Sequence, residues 1–232
     1  LIVSGYSFSG SSALMDFFLD HKGVCRLPGG EARFIDSKHA FRRLARSLKL
    51  SSVVTDKALT MTLDFLNGAK LGDSYHHKKC RSAISALKNT LGGRYDLFLS
   101  ELEAAVKAAP DHEPAVISAC RKFITSICDS VAEEQDCHTI VLDQALCPWT
   151  LSGVQFFDEA DVFVVARDFR DQVIDRLRHG LDDAGFSEEM QKRRDAARKS
   201  IKVLGSARHR FHELWFEDLI LFSDKRRHLS RT

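Results

Sequence analysis

Residues 5–12 read GYSFSGSS and have the spacing of a loop that binds phosphate. Gly5 and Gly10 enclose four residues, and Gly10 is followed by two serines. Glycines let the backbone N–H groups turn toward an anion, and the N-terminus of a following helix adds a positive dipole. The loop stands between an apolar, strand-like run and a helical pattern, as such a site requires. We therefore predict an anion site, for which the candidate residues are Ser7, Ser9, Gly10, Ser11, Ser12 and Ala13.

The same loop lacks the lysine that nucleoside triphosphatases need. Ser11 stands at the position where that lysine would follow the second glycine. Without an ammonium group there, the negative charge on the β- and γ-phosphates is poorly neutralised, so the sequence disfavours an ordinary triphosphatase. The alternative to an anion site is a serine-rich turn in which Ser11 or Ser12 only caps the helix.

The length of the chain predicts one domain, and its charge indicates no general affinity for polyanions. The chain has 232 residues, 44% of them hydrophobic, which is enough for one substantial core and predicts a single domain over residues 1–232. Its 34 basic and 32 acidic residues are mixed along the chain and give a net charge of +2, so no overall field selects nucleic acid or membrane. No apolar run reaches the ~18 residues that a transmembrane helix needs.

The six cysteines form no regular framework. No CxxC pair occurs among them, so no metal site is predicted, and reduced, partly buried thiols in a reducing, cytoplasmic compartment are expected. They are Cys25, Cys80, Cys120, Cys128, Cys137 and Cys147. Because the chain begins within a strand-like run and without Met, this expectation leaves room for an upstream targeting segment.

Apolar, β-branched runs alternate with helical patterns along most of the chain. Strands are predicted at 1–5, 51–56, 139–144, 161–167 and 212–216. Helices are predicted at 11–20, 37–49, 170–179 and 217–223. The alternation predicts a three-layer α/β fold with a mostly parallel five-stranded sheet between helices. Residues 68–137 carry helical patterns only and predict a helical insertion, in which we expect acceptor recognition.

Two separated motifs resemble the sulfotransferases that use 3′-phosphoadenosine 5′-phosphosulfate. FSGSSAL (8–14) is similar to the loop that grips the 5′-phosphosulfate in that family, and VFVVARDFRDQVIDRL (162–177) is similar to its second signature. The resemblance implies that this compound is the co-substrate and that Arg167 binds its 3′-phosphate, which suits a guanidinium at the end of a strand. Two positions depart from the family pattern, because Phe8 replaces a basic residue and Asp175 replaces a serine.

Two further segments supply candidate catalytic residues by resemblance. LPGGEARFID (27–36) is similar to a segment of the heparan-type sulfotransferases, which implies that Glu31 is the general base on the acceptor hydroxyl. VVTDKALT (53–60) is similar to a segment after the second strand of those enzymes, which implies that Lys57 faces the transferring sulfuryl group and stabilises its charge. The alternatives are a solvated loop glutamate and a surface lysine.

The sequence thus predicts the transfer of a sulfuryl group to an acceptor hydroxyl, on a carbohydrate or glycolipid, without a metal. A P-loop kinase-like phosphotransferase is one alternative, with Asp143 after its strand as the acid that holds Mg²⁺. A degenerate, non-catalytic nucleotide-binding module is the other, and Phe8 and Asp175 favour it. Magnesium-dependent turnover of ATP would distinguish the kinase-like alternative.

Overall fold

The computed structural model describes residues 1–6, 9–69, 74–180, 185–204 and 209–221. Ser7 and Phe8, which two of the predictions above concern, lie outside the described residues. The end of the predicted helix 217–223 also lies outside them.

Five parallel strands form one sheet in the order β2-β3-β1-β4-β5. The strands are β1 (Ile2–Gly5), β2 (Val24–Arg26), β3 (Thr139–Asp143), β4 (Ala160–Ala166) and β5 (His209–Trp215). In the central pair, Gly5 at the end of β1 is in register with Val165 near the end of β4. Because all strands are parallel, the segments that follow them meet at one edge of the sheet. The predicted α/β fold with a parallel five-stranded sheet is confirmed.

The central strands are buried on both faces, which explains their continuous apolar runs. All of β1 is buried, and its side chains alternate between two cores. Ile2 packs in the larger core with Val162, whereas Val3 packs in the smaller core with Phe163. Since successive side chains of a strand point to opposite faces, the two cores lie on opposite sides of the sheet and give three layers.

Nine α-helices cover the two faces within the described part of the chain. They are α1 (Ser11–Leu19), α2 (Phe41–Ser51), α3 (Asp56–Leu66), α4 (Tyr75–Leu91), α5 (Gly93–Ala108), α6 (Glu113–Glu134), α7 (Phe169–Arg178), α8 (Phe186–Leu204) and α9 (Phe216–Leu221). The smaller core is covered by α1 and α9, and the larger core by α2 to α8. The segment predicted to be helical is filled by α4, α5 and α6. None of these helices has both the length and the apolar character needed to span a bilayer.

The predicted strand at 51–56 is wrong, and one real strand was missed. Residues 51–56 contain the end of α2, a short turn and the start of α3. The Thr55 side chain accepts a hydrogen bond from the N–H of Ala58, so the Thr-Asp pair is a helix start and not a strand end. The missed strand, β2, has only three residues, which is too short for a recognisable alternation.

The expectation of six reduced thiols is wrong for one pair. Cys25 and Cys137 form a disulfide, although 112 residues separate them in the sequence. Cys25 lies in β2, which pairs with β3, and Cys137 lies just before β3. The pairing of these strands brings the two Cα atoms to 6.1 Å, within the range that a disulfide spans. Spacing along the chain could not reveal this proximity, and the remaining four cysteines are free.

Candidate functional site

The connections that leave β1 and β4 diverge at the sheet edge, and the place where they part is here called the crevice. β1 leads to β2 on one side of the sheet, whereas its neighbour β4 leads to β5 on the other side. In open α/β sheets, ligands bind where two neighbouring connections part in this way. The loop that ends at Gly10 follows β1, and Arg167 follows β4 directly. The structure therefore brings the predicted anion loop and Arg167 to the same edge of the sheet.

The loop after β1 folds back tightly over the end of its own strand. The N–H of Ser9 donates to the carbonyl of Tyr6 at 3.0 Å, which closes the turn. A Cβ atom on Gly5 would lie 2.2 Å from the Ser9 hydroxyl oxygen, so only glycine permits this close approach. Gln144, just after β3, accepts hydrogen bonds from Ser11 Oγ at 2.9 Å and from the N–H of Gly5 at 3.3 Å. Ser9 and Ser11 are thereby held at the ends of two neighbouring strands.

Helix α1 begins at this loop without a side-chain cap. Its N-cap is Gly10, with a φ of 83°, and no hydrogen bond from a described side chain caps the helix. The Ser11 hydroxyl is engaged by Gln144, so the alternative in which a serine only caps the helix does not describe Ser11. Ser9 is 1% exposed, and its hydroxyl oxygen has no hydrogen-bond partner among the described residues. The first N–H groups of the helix therefore remain available to an anion.

Phe216 connects the loop to Arg167. A Cβ atom on Gly10 would lie 2.1 Å from the Phe216 ring, and the guanidinium carbon of Arg167 lies 5.1 Å from the centre of the same ring. Arg167 Nη1 also donates to Asp175 Oδ2 at 2.6 Å. Gly10, Phe216, Arg167 and Asp175 thus form a continuous series of contacts at the sheet edge.

A cavity of about 840 Å³ lies on the other side of the loop. One wall is the loop itself with Ser9, Gly10, Ser11 and Ser12. The opposite walls come from the segment after β2, from the start of α4 and from residues 143–149 after β3. The cavity and the crevice therefore share the start of α1, and two ligands could meet there.

Glu31 lies in the cavity wall and is paired with Arg33. Arg33 Nε donates to Glu31 Oε2 at 2.5 Å, and both side chains are partly exposed to the cavity. The N–H of Ala32 donates to the Asp143 carbonyl at 2.6 Å, which attaches this segment to the end of β3. Asp143 also lines the cavity, and its Oδ1 atom is buried without a hydrogen-bond partner among the described residues. Burial, followed by the charge of Glu31, raises the pKa of Asp143 to about 6.

Lys57 does not reach the cavity. The strand predicted at 51–56, just before Lys57, does not form. Lys57 is instead the second residue of α3, where it is exposed. The cationic side chains that line the cavity are instead Arg33, Lys38 and Arg42. The sequence did not single these out. Arg33 and Lys38 lie between β2 and α2, and Arg42 is the second residue of α2.

Asp36 is a buried acid at the base of the same cavity. Its side chain is 3% exposed and accepts a hydrogen bond from the N–H of Cys147 at 2.8 Å. Arg42 Nε lies 3.7 Å from its other oxygen, and a Cβ atom on Gly153 would lie 2.7 Å from that oxygen. Burial is the largest effect on the carboxyl and raises the pKa of Asp36 to about 6.

We expect the Asp36→Asn variant to flatten the pH dependence of stability between pH 4 and 7. Because the pKa of Asp36 is raised to about 6 in the fold, the native state binds this proton more tightly than the unfolded chain. The free energy of unfolding of the wild type therefore falls as the pH rises through this window, by up to about 3 kcal/mol from this group. Urea unfolding at pH 4 and pH 7 measures the difference, with exposed Asp20→Asn as the control. An unchanged pH dependence in Asp36→Asn would contradict the assignment.

In comparisons with known proteins, no family model, no curated protein and no solved structure matched the chain. Within the described ranges, no group of three or more His, Cys, Asp or Glu side chains is placed to hold a metal ion. The loop, the crevice and the cavity are therefore the features that bear on function.

Proposed function

We propose that the chain is a sulfotransferase, which moves a sulfuryl group from the 5′-phosphosulfate of an adenosine nucleotide to an acceptor hydroxyl. The observation that carries this proposal is the start of α1, which is shared by the crevice and the cavity. It offers uncapped helix N–H groups to an anion, and the loop contains no lysine. A phosphosulfate suits such a site better than a triphosphate, because it carries less negative charge to neutralise.

The residues of the loop would hold the donor by its 5′ end. Ser11 and Ser12 line one wall of the cavity, and their N–H groups with the hydroxyl of Ser12 would be the donors. Negative charge builds on the leaving phosphate oxygen as its bond to sulfur breaks, and fixed donors stabilise that charge without reorganising. The donor expected from the resemblance is 3′-phosphoadenosine 5′-phosphosulfate, whose 5′ end would bind in this way.

Glu31 would accept the proton of the attacking hydroxyl. Its pairing with Arg33 holds the carboxylate in place, and the cavity wall position lets an acceptor reach it from the open side. In this proposal the cation that faces the sulfuryl group comes from the cavity wall, where Lys38 and Arg42 lie, and not from Lys57. A cavity lined by hydroxyl, carboxylate and guanidinium groups suits a carbohydrate or another polar acceptor.

A kinase-like phosphotransferase is the second candidate, and Asp143 is the observation that favours it. Asp143 ends β3, next to the strand that carries the loop, and its Oδ1 atom has no hydrogen-bond partner within the described part of the chain. An acid at that place could hold Mg²⁺ against a bound phosphate. The missing lysine makes this candidate the weaker one.

Product analysis would test the proposal. We expect a sulfated product by mass spectrometry when the chain is incubated with a panel of oligosaccharides and glycolipids, with both adenosine 5′-phosphosulfate and its 3′-phosphorylated form as donors, and with chelator present. A phosphorylated product that requires ATP and Mg²⁺ would instead establish the kinase-like candidate. Nucleotide binding without any product from either reaction would support the non-catalytic module.

A further inference from the structure

The guanidinium of Arg167 is already engaged by acids from α7. Arg167 Nη1 donates to Asp175 Oδ2 at 2.6 Å, and Arg167 Nε lies 4.0 Å from Asp171 Oδ2. Arg178 Nη1 lies 3.4 Å from the second oxygen of Asp175. The Arg167 and Asp175 side chains are 20% and 23% exposed, so a ligand in the crevice can reach them but solvent screens them only in part. The pair offers a ligand a balanced dipole and not a free positive charge.

This pair lies one aromatic ring away from the anion loop. The Phe216 ring packs against Gly10, and the Arg167 guanidinium lies over the same ring. A nucleotide whose 5′-phosphate binds at the start of α1 and whose body follows the crevice would therefore place its ribose beside Phe216 and Arg167. The group on the 3′ carbon would then meet the Arg167–Asp175 pair.

A carboxylate and a guanidinium select different groups on a ribose. A carboxylate accepts a hydrogen bond from a ribose hydroxyl, whereas an arginine accommodates a phosphate at the same place. A 3′-phosphate beside Asp175 would either face its negative charge or have to displace it from Arg167. Asp171 adds a second negative charge to the same guanidinium.

We propose that Asp175 makes the crevice select adenosine nucleotides with a free 3′-hydroxyl over those with a 3′-phosphate. This inference rests on the proposed function, since it concerns the donor of the same transfer. It names adenosine 5′-phosphosulfate as the preferred donor, in place of the 3′-phosphorylated donor that the resemblance implies. The carboxylate of Asp175 accepts the hydrogen bond of the 3′-hydroxyl, and Arg167 holds the carboxylate in position.

Calorimetric titration with two product nucleotides tests the inference. We expect the wild type to bind adenosine 5′-monophosphate at least about tenfold more tightly than adenosine 3′,5′-bisphosphate. We expect Asp175→Ser to bind the bisphosphate at least about tenfold more tightly than the wild type does, with the affinity for the monophosphate changed less than about threefold. The variant Asp175→Asn keeps the shape without the charge and should change in the same direction. Asp158→Ser removes an acid that pairs with Arg121 elsewhere on the surface, and should leave both affinities unchanged.

The outcomes separate the two proposals. A wild type that prefers the bisphosphate would overturn the inference and leave the sulfotransferase proposal standing. No binding of either nucleotide to the wild type would overturn both. If Asp175→Ser fails to fold, the ratio of the two affinities in the wild type still decides the question, and Asp175→Asn supplies the second variant.

Discussion

The variant Gly10→Ala should lose nucleotide binding and should be less stable than the wild type by about 2–5 kcal/mol. Gly10 has a φ of 83°, a left-handed conformation that alanine adopts only at a cost. In addition, the new Cβ atom would lie 2.1 Å from the Phe216 ring, so the ring or the loop has to move. Movement of the loop displaces the first N–H groups of α1, which are the proposed anion donors.

The matched control for this variant is Gly30→Ala. Gly30 also has a positive φ, of 86°, but no described atom lies within 4 Å of a Cβ atom built on it. The control therefore carries the backbone cost alone, about 1–2 kcal/mol, and should keep nucleotide binding. Urea unfolding gives both stabilities, and calorimetry with adenosine 5′-monophosphate gives binding. Equal losses in the two variants would show that the contact with Phe216 is unimportant.

The variant Glu31→Gln should lower the turnover number for sulfuryl transfer by about 10²–10⁴-fold, the usual contribution of a positioned general base. Glutamine has nearly the same shape and can still accept a hydrogen bond from Arg33, so the cavity wall should keep its structure. It cannot take a proton from an acceptor hydroxyl. The affinity for the nucleotide should not change, because the donor binds at the loop and not at this wall.

Exposed Glu113, in the first turn of α6, supplies the control Glu113→Gln. Steady-state kinetics would compare the two variants. The substrates are adenosine 5′-phosphosulfate and an acceptor whose sulfated product has been identified by mass spectrometry. If Glu31→Gln keeps a turnover number within about threefold of the wild type, Glu31 is not the base. Asp143 would then be the next carboxylate to replace, because it lines the same cavity.

The three central strands that the sequence revealed are those whose burial produces an unmistakable pattern, and β5 at the edge was recognised in part, at 212–216. β1, β3 and β4 form the centre of the sheet, and their apolar runs follow from burial on both faces. β2 is a three-residue strand, so its pairing with β3 decides its conformation more than its own residues do. The run at 51–56 is apolar because Val54 is buried beneath α2 and α3, which periodicity cannot distinguish from a strand.

The site was predictable only where its residues follow strand ends. Gly10 and Arg167 come just after β1 and β4, so a parallel sheet places them at one edge. Gln144 and Phe216 act on the loop across more than 130 residues of sequence, and no local pattern points to them. Lys57 was expected at the end of a strand that does not form, and it lies instead in α3 and is not among the residues that line the cavity.

The disulfide closes a loop of the chain that contains part of the site and leaves the rest outside it. Cys25 and Cys137 close a loop that contains Glu31, the cationic wall of the cavity and all helices from α2 to α6. The anion loop, Arg167 and Asp175 all lie outside that loop. Closure of 112 residues restricts the unfolded chain by about 4–5 kcal/mol in the chain-entropy view. Residues inside and outside that loop share one core, so the whole fold gains this margin and tolerates destabilising substitutions better, including those by which acceptor preference would diverge.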